Sequence, residues 1–137
     1  MKRYQIIPHT ADLRLRVYGK DLEELFMNGA YGLASVMYEK VDKRLKYIRG
    51  FQKISLQAKD TKKLFVNFLS ELVTLCDTYN KIFPRAKILK ISPTKVKAHV
   101  SGVEVDEFDK DIKAVSHHEV EIKRENEKLQ ATVILDV

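Results

Sequence analysis

"PHTADLRLRVYGKDLEELF", residues 8–26, contains the change of period on which the reading of the chain turns. Leu13, Leu15 and Val17 alternate with Arg14, Arg16 and Tyr18, the spacing that gives a strand one apolar and one polar face. Gly19 ends the alternation, and Asp21-Leu-Glu-Glu24 opens a helix. An aspartate there accepts from the free amides of the first turn, and the glutamate three residues on returns the contact. Leu22, Leu25, Phe26, Gly29, Leu33, Val36 and Met37 then recur at helical spacing, which predicts one apolar face. Gly29 and Gly32 each weaken such a helix by about 1 kcal/mol relative to alanine, so close packing on a sheet is expected there. Ahead of the strand, His9-Thr10-Ala11-Asp12 puts an imidazole and a carboxylate at the entrance to a core element, where burying either is costly.

Outward from this stretch, residues 2–7 form a short strand and 40–50 a basic loop. "FQKISLQA" (51–58) alternates as a strand, and Asp60 or Thr61 caps a second helix running to about Tyr79. Its apolar stripe, from Leu64 and Phe65 through Phe68, Leu69, Leu72 and Cys76, is wide enough to predict extensive burial. Strand signals follow at 84–91, 95–102, 112–123 and 129–135, with turns at 92–95 and 125–128. Two helices among strands, with a run of strands at the end, predict an α+β fold: two helices packed against a mostly antiparallel β-sheet. No linker, repeat or low-complexity stretch divides residues 1–137, so a single domain is expected.

The chain of 137 residues is long enough to bury a core without disulfides or a structural metal. Its 45% hydrophobic and 32% charged content is that of a soluble globular protein. The single cysteine, Cys76, cannot form an internal bridge and falls in an apolar run, so a buried thiol is expected. "MKRYQII" lacks a secretory apolar region, and no apolar run approaches the roughly 18 residues of a membrane span. A cytoplasmic protein with no membrane partner is expected. The net charge of +6 is uneven: basic residues crowd 40–49 and 81–97, acids crowd 104–111. Such basic surface attracts RNA or an acidic partner, yet no RGG-like or RNP-like pattern accompanies it, so solvated lysines are the plainer reading.

Two polar spots stand out. In "KAVSHHEVEIK" (113–123), strand parity puts Ala114, Ser116, His118, Val120 and Ile122 on one face and Val115, His117 and Glu119 on the other. His118 is then the inward histidine and His117 the outward one. "LQATVILDV" places Leu129, Ala131, Val133, Leu135 and Val137 on one face, with Asp136 beside the α-carboxylate of Val137. This end is either a compact source of oxygen ligands for a hard divalent cation or a frayed tail with two solvated charges. The acidic run "EVDEFDKD" lacks the glycine and the spaced glutamate of an EF-hand and is expected to be an exposed loop. His99 lies in an alternating strand with no evident companion. No zinc spacing, phosphate-binding glycine loop or serine-nucleophile elbow occurs.

"HTADLRLRVYGKDLEELF", "KDTKKLFVNFLSELVTLCD", "IKAVSHHEVEI" and the ending "VILDV", in that order, together resemble the archease family over nearly the whole chain. The resemblance implies an α+β fold and a non-enzymatic protein cofactor of the RtcB-type RNA ligase that seals tRNA halves, tRNA being met through the ligase. It implies promotion of guanylylation of the ligase histidine by GTP, and so multiple turnover. It also implies a divalent metal (Ca²⁺, Mg²⁺ or Mn²⁺) held by Asp12, Asp136 and the terminal carboxylate of Val137, with His9 and His118 in supporting positions. Three carboxylates drawn together repel one another, and a divalent cation offsets that repulsion. The chain departs from the family in carrying Pro8 where an acid is usual and His117 where a tyrosine is usual. Two other readings stay open. One is a chaperone-like or RNA-binding modulator of a tRNA-modifying methyltransferase that uses 40–49 and 81–97. The other is a metal-dependent hydrolase with His118 as base.

Overall fold

The alternating segment becomes β2 (Leu13–Gly19), an inner strand paired antiparallel with β1 (Tyr4–Pro8) on one edge. Its other neighbour comes from the far end of the chain. In the computed structural model, which describes residues 2–8 and 12–137, the strands form two antiparallel sheets. The remaining elements, in chain order, are α1 (Leu22–Met37), β3 (Arg49–Gln57), α2 (Thr61–Tyr79), β4 (Lys81–Ser92), β5 (Lys95–Glu104), β6 (Ala114–Val115), β7 (Glu121–Glu125) and β8 (Lys128–Asp136). The larger sheet runs β1-β2-β8, with β6 and β7 taking successive stretches of the outer edge of β8. The smaller runs β3-β5-β4.

Both helices begin where the sequence placed them. Asp21 accepts from the Glu24 amide at 2.9 Å, and Asp60 accepts from the Lys63 amide at 2.8 Å. The Glu24 carboxylate reaches back to the amide of Lys20, one residue before the cap. Helix α1 differs from the one-faced helix expected. It packs against β2 of one sheet and β4 of the other, and every residue from Asn28 to Met37 is buried. A helix between two sheets has no solvent face to keep polar. Its buried polar groups are satisfied locally: Asn28 donates to the Tyr18 carbonyl at 2.7 Å and accepts from Arg3 at 3.1 Å. Gly32 meets the sheet, since a Cβ there would lie 3.1 Å from Tyr4 Cβ. Gly29 instead meets α2, where a Cβ would lie 3.0 Å from the Phe65 ring. Phe26 locks the two helices together, its ring centroid 5.2 Å from Phe65 and 5.1 Å from Phe68. Buried side chains from both sheets and both helices form one cluster.

The continuous strand expected at 112–123 does not form. It is interrupted by a turn over 116–120, in which the Ser116 hydroxyl accepts from the His118 amide and Glu119 adopts a left-handed φ of 54°. Such side-chain bonding competes with the ladder. Parity inverts with it: Val115 is buried and Ala114 exposed, and His118 is exposed rather than inward. The basic segment 40–50 is two 3-10 turns, Val41–Lys43 and Leu45–Tyr47, leading into β3 at Arg49. His99 does have a companion: its ring stacks on Phe51 at 4.0 Å and 13°. The acidic run is a surface loop, as expected, and is tied back to the end of α1 by Asp109, which donates to the Met37 carbonyl and accepts from the Glu39 amide. Cys76 is buried, and desolvation pushes its thiol up to about 12.

Candidate functional site

The register of β2 against β8 brings the two ends of the chain together. Leu13 pairs with Leu135, Leu15 with Val133 and Val17 with Ala131, and the same register carried one position past the last pair sets residue 12 toward residue 136. Leu15, Val133 and Leu135 are buried in the core. Because side chains alternate across a strand, positions 12 and 136 fall on the opposite face, with Arg14, Arg16 and Thr132.

Asp12 is half-buried, with its Oδ1 atom shielded from solvent. Asp136 has an exposed side chain on a fixed backbone: its carbonyl accepts from the Lys113 amide at 2.7 Å, and it pairs with Ala114 of β6. Val137 is half-buried and packs against the core, so the tail is held in place up to its last residue. Carboxylates such as those of Asp12 and Asp136 are the oxygen donors that a hard divalent cation takes. No group of three His, Cys, Asp or Glu side chains among the described residues is placed to hold a metal. The corner itself brings only two such side chains, Asp12 and Asp136.

Of the supporting histidines, His9 lies outside the described residues, and His118 is exposed on the 116–120 turn. His117, expected to face water, is exposed too but lines a cleft of about 430 Å³ with Asp60, Lys62, Lys63, Glu119 and Val120. That cleft is tied to the corner through Glu119, whose carboxylate lies 3.5 Å from the Arg14 guanidinium. Arg14 shares the face of Asp12 and Asp136, so a fixed positive charge stands beside the carboxylates and lowers their mutual repulsion. Arg14 and Glu119 were not singled out from sequence. The parity of β2 already put Arg14 on the face of Asp12; Glu119 depended on the unforeseen turn.

The described residues include no helix long and apolar enough to cross a membrane. Residues 4–137 match the model of the Archease protein family (MTH1598/TM1083). The chain is 30% identical to protein archease of Methanosarcina barkeri, covering 99% of this chain and 97% of that one. It is 31% identical to protein archease of Methanothermobacter thermautotrophicus over 100% of both. The solution structure of Methanobacterium thermoautotrophicum protein 1598 superposes with a TM-score of 0.75 at 26% identity, covering 100% of each chain. A Thermotoga maritima crystal structure, described as "an archease, possible chaperone", shares the fold with a TM-score of 0.63 at 18% identity, covering 100% of this chain and 99% of that one. With the family model spanning nearly its whole length, the chain belongs to the archease family.

Proposed function

We propose that this protein is a non-enzymatic activator of an RtcB-type RNA ligase in tRNA splicing, acting in the cytoplasm. It promotes guanylylation of the ligase histidine through the acidic corner. This reading is supported by the Leu13–Leu135 register, the last pair before residues 12 and 136, and by the packing of Val137 against the core. A divalent cation bound there would supply positive charge to the phosphates of GTP as they meet the ligase. The protein's own part is positional. β6 pairs with the backbone of Asp136, β2 pairs with its neighbour Leu135, and Val137 packs against the core beside them. Arg14 pairs with Glu119 at 3.5 Å, which ties the 116–120 turn to this corner. His118, on its exposed turn, is left to meet the partner rather than the core.

The test is the rate of ligase–GMP adduct formation with GTP and Mn²⁺, with and without this protein. The parent accelerates the reaction, and Asp12→Asn and Asp136→Asn remove the acceleration while folding normally. Full stimulation by both variants would discard the mechanism.

A further inference from the structure

The outer face of the small sheet has no part in the acidic corner, yet its composition is far from ordinary. Apart from Glu104 at the end of β5, strands β3, β4 and β5 carry no acidic residue. On the central strand His99 is flanked by Lys53 on one side and Lys87 on the other, and Lys97 pairs with Lys90. Like charges set opposite one another on a sheet destabilise it, so the face holds repulsion that a polyanion would relieve. Amid these charges sits an uncovered apolar surface. Phe51 is 52% exposed while stacked on His99, and Leu89 is 51% exposed. Beside them lies a depression of about 230 Å³, lined by Lys53, Ser55, Leu89, Lys97 and His99.

The far end of the strands is basic as well. There a cleft of about 480 Å³ is lined by Arg44, Tyr47, Arg49, Lys81 and Glu104. Tyr47 is 52% exposed, with the guanidinium of Arg44 5.1 Å from its ring centre. Each end of the small sheet thus sets basic side chains beside an exposed ring, Phe51 at one and Tyr47 at the other. Stacked bases need open rings, and backbone phosphates need cations beside them; an open sheet face supplies both to a strand whose bases are unpaired. A duplex hides its π-faces and would use only the lysines.

We infer that this face binds single-stranded RNA, with a base stacked on the Phe51–His99 pair and phosphates held by Lys53, Lys87 and Lys97. The choice of RNA over DNA rests on the ligase-partner reading above; the platform itself does not. The test is fluorescence anisotropy of a labelled 12-nucleotide RNA with the full chain at 50 and 200 mM salt, against the same sequence as DNA and as RNA duplex. The parent binds the single-stranded RNA most tightly and loses affinity steeply with salt. Phe51→Ala, at an exposed position, weakens binding about tenfold with an unchanged melting temperature. The Lys53→Ala/Lys87→Ala/Lys97→Ala variant weakens it further and flattens the salt dependence, whereas Lys20→Ala/Lys110→Ala, off this face, leaves both unchanged. Asp12→Asn binds RNA like the parent, so failure here and failure of the ligase reading are told apart. Equal affinity for the duplex, or insensitivity to Phe51→Ala, overturns the platform. Equal affinity for DNA overturns the RNA assignment. Tighter binding of polyglutamate than of RNA would replace it with an acidic protein partner.

Discussion

At the corner of the large sheet, the carboxylates of residues 12 and 136 stand on one face with Arg14, and each depends on a single pairing register. On the small sheet, lysines flank His99 from both neighbouring strands, and no one of them defines the surface. The corner joins residues 124 positions apart in the chain, and a one-residue slip of β8 would send Asp136 to the core face. The basic face is assembled from strand parity and tolerates loss of any one charge. Charge concentrated by topology is lost all at once when the register fails, whereas charge spread along strands is lost by degrees.

Removing what both regions share breaks the comparison altogether. Phe26→Ala empties the contact with Phe65 and Phe68 that joins α1, and through it both sheets, to α2. Its expected cost is about 3–5 kcal/mol by urea unfolding, with loss of function at both regions. Asp136→Ala separates them. Mn²⁺ at a hundred times its Kd stabilises the parent by about 2.7 kcal/mol, a melting shift expected to vanish in the variant and to persist in Lys97→Ala. Asp60 sharpens the boundary of the corner, because it lines the neighbouring cleft and also caps α2. Asp60→Ala is expected to cost about 1 kcal/mol and Asp60→Ser only a few tenths. Recovery by serine would assign Asp60 to the helix rather than to the site.

The smallest effect concerns pH. Burial raises Tyr31 and Cys76 to about 12 from ordinary values of 10 and 9, helped in Tyr31 by its hydrogen bond to Asp42. Both stay protonated in the folded state after the unfolded chain has begun to lose those protons. Their contribution is therefore complete below pH 9 and falls as pH rises toward 12. Unfolding midpoints measured from pH 7 to 10.5 should be flat at first and then decline, and Cys76→Ala should shallow the decline. Over the lower part of that range the Cys76 thiol should resist labelling in the folded protein.

Much of the corner was legible because its signals are local. Alternation in 13–18 and 129–135 identified the two strands, and the Asp21 and Asp60 caps marked where the helices begin. Their pairing was expected only from family likeness, since nothing in either strand names its neighbour. Residues 112–123 misled because alternation alone does not reveal a turn stabilised by Ser116 and a left-handed Glu119. The all-round burial of α1 from Asn28 to Met37 was illegible for a different reason: burial between two sheets is a property of the assembly, and its glycines signalled only close approach. The Phe51–His99 stack escaped because it joins residues 48 positions apart on two strands, so the basic stretches read as solvated lysines.

The most direct test of the central claim is Mn²⁺ binding by the free protein, followed by isothermal calorimetry, for the parent, for Asp12→Asn, and for a form extended by one residue after Val137. If the chain ends jointly hold the ion, the substitution and the extension each weaken binding at least tenfold while the melting temperature without metal stays unchanged. Parent-like affinity in the extended form and in Asp12→Asn would contradict the account and leave the meeting of residues 12 and 136 as a feature of the fold alone.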